Sequence, residues 1–122
     1  GHVTGVQTCA LPIYKTVLKP GAASSVRHWH VQEDEFVYVL EGELTLIDND
    51  GETILHAGDA AGFKANVPNG HQLINRSSRD AVYLEVGTRS KGEIAHYIDA
   101  DLALAYGADG KITYTHKSGE PY

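Results

Sequence analysis

Apolar and polar residues alternate along the chain in short runs, each cut by glycine, proline or Asx residues. Alternation with a period of two marks a half-buried strand. Residues 13–18 (Ile-Tyr-Lys-Thr-Val-Leu) form the first run and stop at Lys19-Pro20-Gly21. The same pattern predicts strands over 25–31, 36–40, 43–48, 52–56, 60–63, 71–75 and 81–87. Glu41-Gly42 reads as a tight hairpin. Asp48-Asn49-Asp50-Gly51 reads as a turn, because short polar side chains hydrogen-bond their own backbone and glycine accepts positive φ. It lacks the calcium-loop pattern. Beyond Gly87, residues 93–98 suggest one more strand. Residues 99–106 (Asp-Ala-Asp-Leu-Ala-Leu-Ala-Tyr) predict a short helix capped by Asp99 or Asp101. Residues 111–116 alternate again. Many short strands without a long helical period point to a β-sandwich or barrel.

Alternation also decides which side chains meet. His28 and His30 share one strand face and Trp29 takes the other. Two imidazoles side by side are half of a transition-metal site. After a turn at Gln32-Glu33-Asp34, Glu35 shares a face with Val37 and Val39, while Phe36, Tyr38 and Leu40 share the opposite one. Pairing of these two strands would carry Glu35 to both histidines. A third histidine, His71, follows Pro68-Asn69-Gly70 at the head of another strand. On 81–87 the apolar triplet Val82, Leu84 and Val86 reads as the core face, which turns Tyr83 and Glu85 outward. The reverse orientation would make Glu85 an extra carboxylate base.

The blocks 21–42 and 58–75 resemble the two motifs of the cupin superfamily. In the first, Gly21 and a spacer lead to His28-x-His30, then Glu35 and Gly42. In the second, Gly58-Asp59 leads to a Pro-x-Gly turn, His71 and Asn75. The family's Pro-x-Gly usually comes earlier, where Lys64-Ala65-Asn66 stands here. His71 therefore follows a longer loop, which bears on pocket shape more than on ligand identity. The resemblance implies an all-β, double-stranded β-helix jelly roll (cupin barrel) with a short C-terminal helical or extended tail. It also implies a metal inside the barrel, held by His28, His30, Glu35 and His71, which would form the catalytic centre.

Composition narrows the picture. The 122 residues fit one domain over 14–122, preceded by an arm over 1–13. That arm reads unlike the rest and resembles translated adapter sequence, the alternative being an arm that adds an edge strand, so His2 and Cys9 stay outside the site. A formal charge of −6 argues against nucleic acid or an anionic membrane as partner. No run approaches the ~18 apolar residues of a membrane helix. The single cysteine permits no internal disulfide. No signal-peptide pattern is visible, and localisation is left open. The tail suits packing across the barrel or a homodimer interface.

The other polar candidates read as structural: His56, His96 and His116 as surface or packing residues, Asp59 as a turn brace, Asn75 as a core hydrogen-bonder. Trp29 reads as packing, with sugar stacking as the alternative. The expected cofactor is one divalent transition metal per chain, with copper favoured and iron, manganese, nickel or zinc as alternatives. With no further acid–base pair in view, the leading expectation is an oxidoreductase that activates oxygen or peroxide, with a carbohydrate as the candidate substrate. A sugar or sugar-phosphate isomerase is the alternative, with Arg27, Lys64, Arg76 and Arg79 as candidate phosphate contacts. A non-catalytic small-ligand-binding domain is the third reading.

Overall fold

A computed structural model describes residues 13–88, 92–99, 101–107, 109 and 111–121. All but the last residue of the expected N-terminal arm lies outside the described residues. Eleven strands run through the described part: β1 (Ile13–Leu18), β2 (His28–His30), β3 (Glu35–Glu41), β4 (Glu43–Asp48), β5 (Gly51–His56), β6 (Ala60–Phe63), β7 (Gln72–Ile74), β8 (Ala81–Gly87), β9 (Ile94–Tyr97), β10 (Ala103–Tyr106) and β11 (Ile112–Thr115).

The strands form two facing walls. One is an antiparallel sheet in the order β1-β8-β3-β6. The other combines the sheets β5-β4-β7 and β11-β10-β9-β2. A single bridge between His28 and His71 joins these two, each residue donating its N–H to the other's carbonyl (3.2 and 2.9 Å). Between the walls lies an apolar core of Leu18, Val37, Val39, Leu44, Leu46, Leu55, Leu73, Ala81 and Tyr83. This is the expected all-β jelly roll.

Local chemistry explains the corners. The turn after β4 closes as an Asx turn, Asp50 N donating to Asp48 Oδ1 (2.9 Å), and Gly51 takes φ +123°. Gly42 turns the chain between β3 and β4 with φ +81°, and a Cβ there would lie 2.8 Å from the Asp80 carbonyl oxygen. Only glycine fits both demands. Asn75 is fully buried and closes the β7–β8 corner. Its amide donates to the Leu18 and Arg79 carbonyls (2.8 and 2.7 Å) and its oxygen accepts from Ser77. Asp59 braces its turn by accepting the His56 N–H (2.8 Å). Both residues are structural, as expected.

Two expectations need correction. The stretch 99–106 holds no helix in its described residues. Ala103–Tyr106 is β10, laid antiparallel between β9 and β11. Helix propensity is a weak prior, and a helix this short is marginal alone, whereas the open edge of β9 offers a ladder. Leu104 buries its side chain in that setting. Nor does β2 pair with β3. It is shorter than the alternation suggested and pairs with β9, so Glu35 reaches the histidines from the opposite wall.

Candidate metal centre

His28 and His30 project from β2 into the space between the walls, and His71 sits directly opposite His28 across the bridge. Glu35, at the head of β3, points in from the facing wall. Its Oε1 lies 2.7 Å from His30 Nε2, 3.4 Å from His71 Nε2 and 3.6 Å from His28 Nε2. The donor atoms of His28, His30 and Glu35 all lie within 4.8 Å of one another. Phe63 stacks flat on the His71 ring (centroids 3.6 Å apart, planes 3° apart) and limits its rotation.

The other ring nitrogens decide what these atoms present. His28 Nδ1 faces the Val26 carbonyl (2.9 Å) and Ser25 Oγ (3.1 Å). His71 Nδ1 faces the Asn69 carbonyl (3.4 Å), and His30 Nδ1 lies 3.3 Å from a Glu93 oxygen. An acceptor beside Nδ1 keeps the proton there and leaves a lone pair on Nε2. Lone pairs on His28 and His71 then face a carboxylate oxygen and repel it, and Glu35 Oε1, His71 Nε2 and His30 Nδ1 are buried without a hydrogen-bond partner. A bound cation resolves the conflict, and three imidazoles with one carboxylate oxygen suit a divalent transition metal. The four residues could hold such an ion.

Without a cation, protons must do the same work. Burial pushes the Glu35 carboxyl up, but the three imidazoles that crowd it outweigh this and hold the group well below the usual carboxylate range. For His30, burial pulls the ring down, and the carboxylates of Glu35, Glu93 and Glu33 more than reverse this, so its pKa is raised.

Glu85 stands contrary to the expectation for its strand. Tyr83 is buried and Glu85 lines a cavity of about 220 Å3 together with His28, Glu35, Ser24 and Ser25. Both side chains therefore face inward. The triplet Val82, Leu84 and Val86 faces outward, where it packs beside Val17 of β1 and Phe36 and Tyr38 of β3 in register. Burial raises the Glu85 pKa, and its hydrogen bond to the Glu35 carboxylate raises it further.

A second cavity of about 230 Å3, which shares Glu35, Phe63 and His71 with the first, is also lined by Trp29, His30, Lys64 and Asn69. Trp29 also stacks on His96 of β9 (4.5 Å, 24°), so it is a packing residue that borders the pocket. The long loop before His71 is tied down. Ala65 N donates to Asp34 Oδ1 (2.7 Å) and Asn66 N to the His30 carbonyl (2.7 Å). Arg27 donates to the Gly70 carbonyl (3.1 Å) and to Asn49 Oδ1 (2.5 Å), and Asn49 in turn donates to the Pro68 carbonyl (2.9 Å). Arg27 is thus a structural brace, and Arg76 is engaged by Glu52 (2.6 Å). Lys64 is the candidate cation that lines the cavity. His56 is exposed beside Glu43 and Asp59, and His116 pairs with Asp101 (2.7 Å), both away from the donors. Glu93, fully buried beside His30, escaped the sequence reading. The charge of a lone glutamate ahead of a short strand carries no signal of the distant partner it meets.

Fold and donors together define a small jelly-roll protein with a pocket between its walls whose residues could hold a metal. Residues 14–87 match the family model described as Cupin domain. The chain belongs to the cupin family. Among solved structures, it is similar to a cupin-superfamily sugar phosphate isomerase from Silicibacter pomeroyi DSS-3, at 45% identity and a TM-score of 0.87, covering 92% of this chain and 71% of that one. It is also similar to a protein from Acidithiobacillus ferrooxidans provisionally named a sugar phosphate isomerase, at 25% identity and a TM-score of 0.83, covering 92% and 70%. A predicted oxalate decarboxylase from Thermotoga maritima aligns at 27% identity and a TM-score of 0.57, covering 64% and 65%. No curated protein sequence matches the chain. Among the described residues, no helix is long and apolar enough to cross a membrane.

Proposed function

We propose that the chain is a metal-dependent isomerase acting on a phosphorylated sugar, with His28, His30, His71 and Glu35 as metal ligands. The observation that carries this reading is the inward-facing Glu85. The oxidoreductase expectation rested on the lack of a second acid–base group, and Glu85 supplies one beside the donor cluster. The likeness to a sugar phosphate isomerase over 92% of the chain supports the same reading.

Aldose–ketose exchange moves a proton between neighbouring carbons and consumes no oxidant. When bound, a divalent metal would polarise the substrate's adjacent carbonyl and hydroxyl oxygens. Glu85 removes the proton from the carbon next to the carbonyl and returns it to the former carbonyl carbon, while the hydroxyl proton passes through solvent to the former carbonyl oxygen. Phe63 and Trp29 keep the pocket walls apolar, and Lys64 at the mouth offers its ammonium to the phosphate as a point charge.

The test is turnover of aldose phosphates under strictly anaerobic conditions, with solvent deuterium entering the product carbon. Oxygen-independent exchange is expected. A strict need for oxygen or peroxide would overturn the proposal and restore the oxidative reading. Metal-dependent sugar phosphate binding without turnover would instead make the chain a ligand-binding domain.

A further inference from the structure

The loop between β6 and β7 places two of its residues, Lys64 and Asn69, on the 230 Å3 cavity. Most of Asn69 is already engaged. Its backbone N–H donates to the Val67 carbonyl (2.7 Å), and its own carbonyl faces His71 Nδ1 (3.4 Å). Its side-chain oxygen accepts the backbone N–H of Asn49 in the β4–β5 turn (2.8 Å). A backbone N–H can only donate, so the carboxamide cannot turn over without losing this bond. That leaves Nδ2 as the polar atom of Asn69 that can serve a ligand. The loop around it is held. Asn49 Nδ2 donates to the Pro68 carbonyl (2.9 Å), and Asn66, at φ +62°, bends the chain and donates its N–H to the His30 carbonyl (2.7 Å).

Among the described residues, neither Asn69 Nδ2 nor Lys64 Nζ has a hydrogen-bond partner. Both are donors, and residues 64–70 include no carboxylate. The carboxylates of the cavity, Glu33 and Glu35, stand instead against the His30 ring, at 4.0 and 2.7 Å. Two donors without acceptors suit a ligand group made of acceptors, and an oxyanion strengthens each bond by its charge. We propose that Asn69 Nδ2 acts with Lys64 Nζ to bind the phosphate of the substrate. Lys64 supplies the charge, and Asn69 supplies the fixed donor that sets where the phosphate sits. This deepens the isomerase reading and rests on it for the identity of the substrate.

Asn69→Asp is the informative variant. It keeps an oxygen for the Asn49 N–H, so the loop stays tied, but it turns the free donor into a charged acceptor. A purely structural role for Asn69 would survive it. The probe is glycerol 3-phosphate, with glycerol as its phosphate-free counterpart, titrated into the nitrogen-15-labelled full chain with zinc present. The side-chain amide signals of Asn69 are expected to shift with glycerol 3-phosphate and to stay in place with glycerol. Asn69→Asp and Lys64→Ala should each weaken glycerol 3-phosphate binding roughly 10- to 100-fold. Binding that leaves the Asn69 signals unmoved overturns the proposal, even if Asn69→Asp fails to fold. So does a folded Asn69→Asp protein with unchanged affinity, or an absence of glycerol 3-phosphate binding. Binding as expected, without exchange between aldose and ketose phosphates, counts against the isomerase reading and leaves the phosphate site standing. Exchange whose KM is the same in Asn69→Asp overturns the phosphate site and leaves the isomerase reading standing.

Discussion

The two walls hold their share of the site in different ways. The β1-β8-β3-β6 wall supplies carboxylates, Glu35 and Glu85, from seven-residue strands paired on both sides. The facing wall supplies imidazoles from the three-residue β2 and from His71, the residue just before the three-residue β7, joined by one bridge. Ladder hydrogen bonds fix the first set. The second set depends on side chains: Arg27 and Asn49 on the loop before His71, Phe63 on its ring, Glu93 behind His30. Short strands leave the imidazole rings open toward the pocket, and discrete polar contacts replace the missing ladder. Substitutions should therefore be felt differently on the two sides.

The largest contrast lies between His71→Ala and Glu85→Gln. The first removes a donor and should abolish both metal retention and turnover, as elemental analysis and assay will show. The second should keep the metal and lower kcat by roughly 10²- to 10⁴-fold, the range for losing a general base. A Glu85→Gln enzyme with unimpaired kcat would break the assignment of the carboxylate wall to proton transfer.

A gentler probe uses glycines. A Cβ at Gly70 would fall 2.0 Å from Ile98 Cγ1, on the segment leading into His71. Gly70→Ala should cost about 1–3 kcal/mol in denaturant unfolding, as overpacking does, and weaken metal binding as well. Gly62, on β6 behind Glu35, has only the Glu35 carbonyl oxygen at 4.0 Å. Gly62→Ala should stay within about 0.5 kcal/mol. Equal costs would mean that the walls are equally well packed.

Acidity sharpens the comparison further. His30 is raised above 6.5, so its protonated form stabilises the metal-free fold at lower pH, and that contribution is lost as pH rises through the raised value. Glu35 is lowered from 4.5, so its contribution is present above that value and fades as pH falls. With chelator present, unfolding experiments should show this pair's greatest stabilisation between about pH 4.5 and 6.5, declining above 6.5. Metal competes with the proton on His30, so zinc affinity should begin to fall on acidification at a pH above 6.5. The smallest effect belongs to the exposed Arg76–Glu52 pair: Arg76→Ala should leave the melting temperature nearly unchanged.

Much of this was legible in the sequence, for reasons that differ by residue. The period-two pattern located the strands of the carboxylate wall because that wall has long paired ladders, broken by one bulge between Val39 and Glu41, and an apolar inner face at Val37 and Val39. His28 and His30 could be placed on one face by alternation alone. The orientation of β8 could not. An apolar row also forms where strands of one sheet pack side by side on its outer surface, as Val82, Leu84 and Val86 do, so Glu85 was read as turned away. The helix expected over 99–106 failed because alanine and leucine serve a covered strand as readily as a helix. Glu93 was illegible because its partners are the backbone N–H groups of Val31 and Gln32, which only the folded chain brings near.

The single bridge between His28 and His71 has a bearing on the order of folding. It joins residues distant along the chain, and such contacts carry a loop-closure cost that is repaid only after neighbouring strands are in place. The donor cluster should then be among the last features to form. A metal added during refolding would be captured by an almost complete barrel, acting as a latch on the finished molecule and leaving the folding rate of the walls nearly untouched.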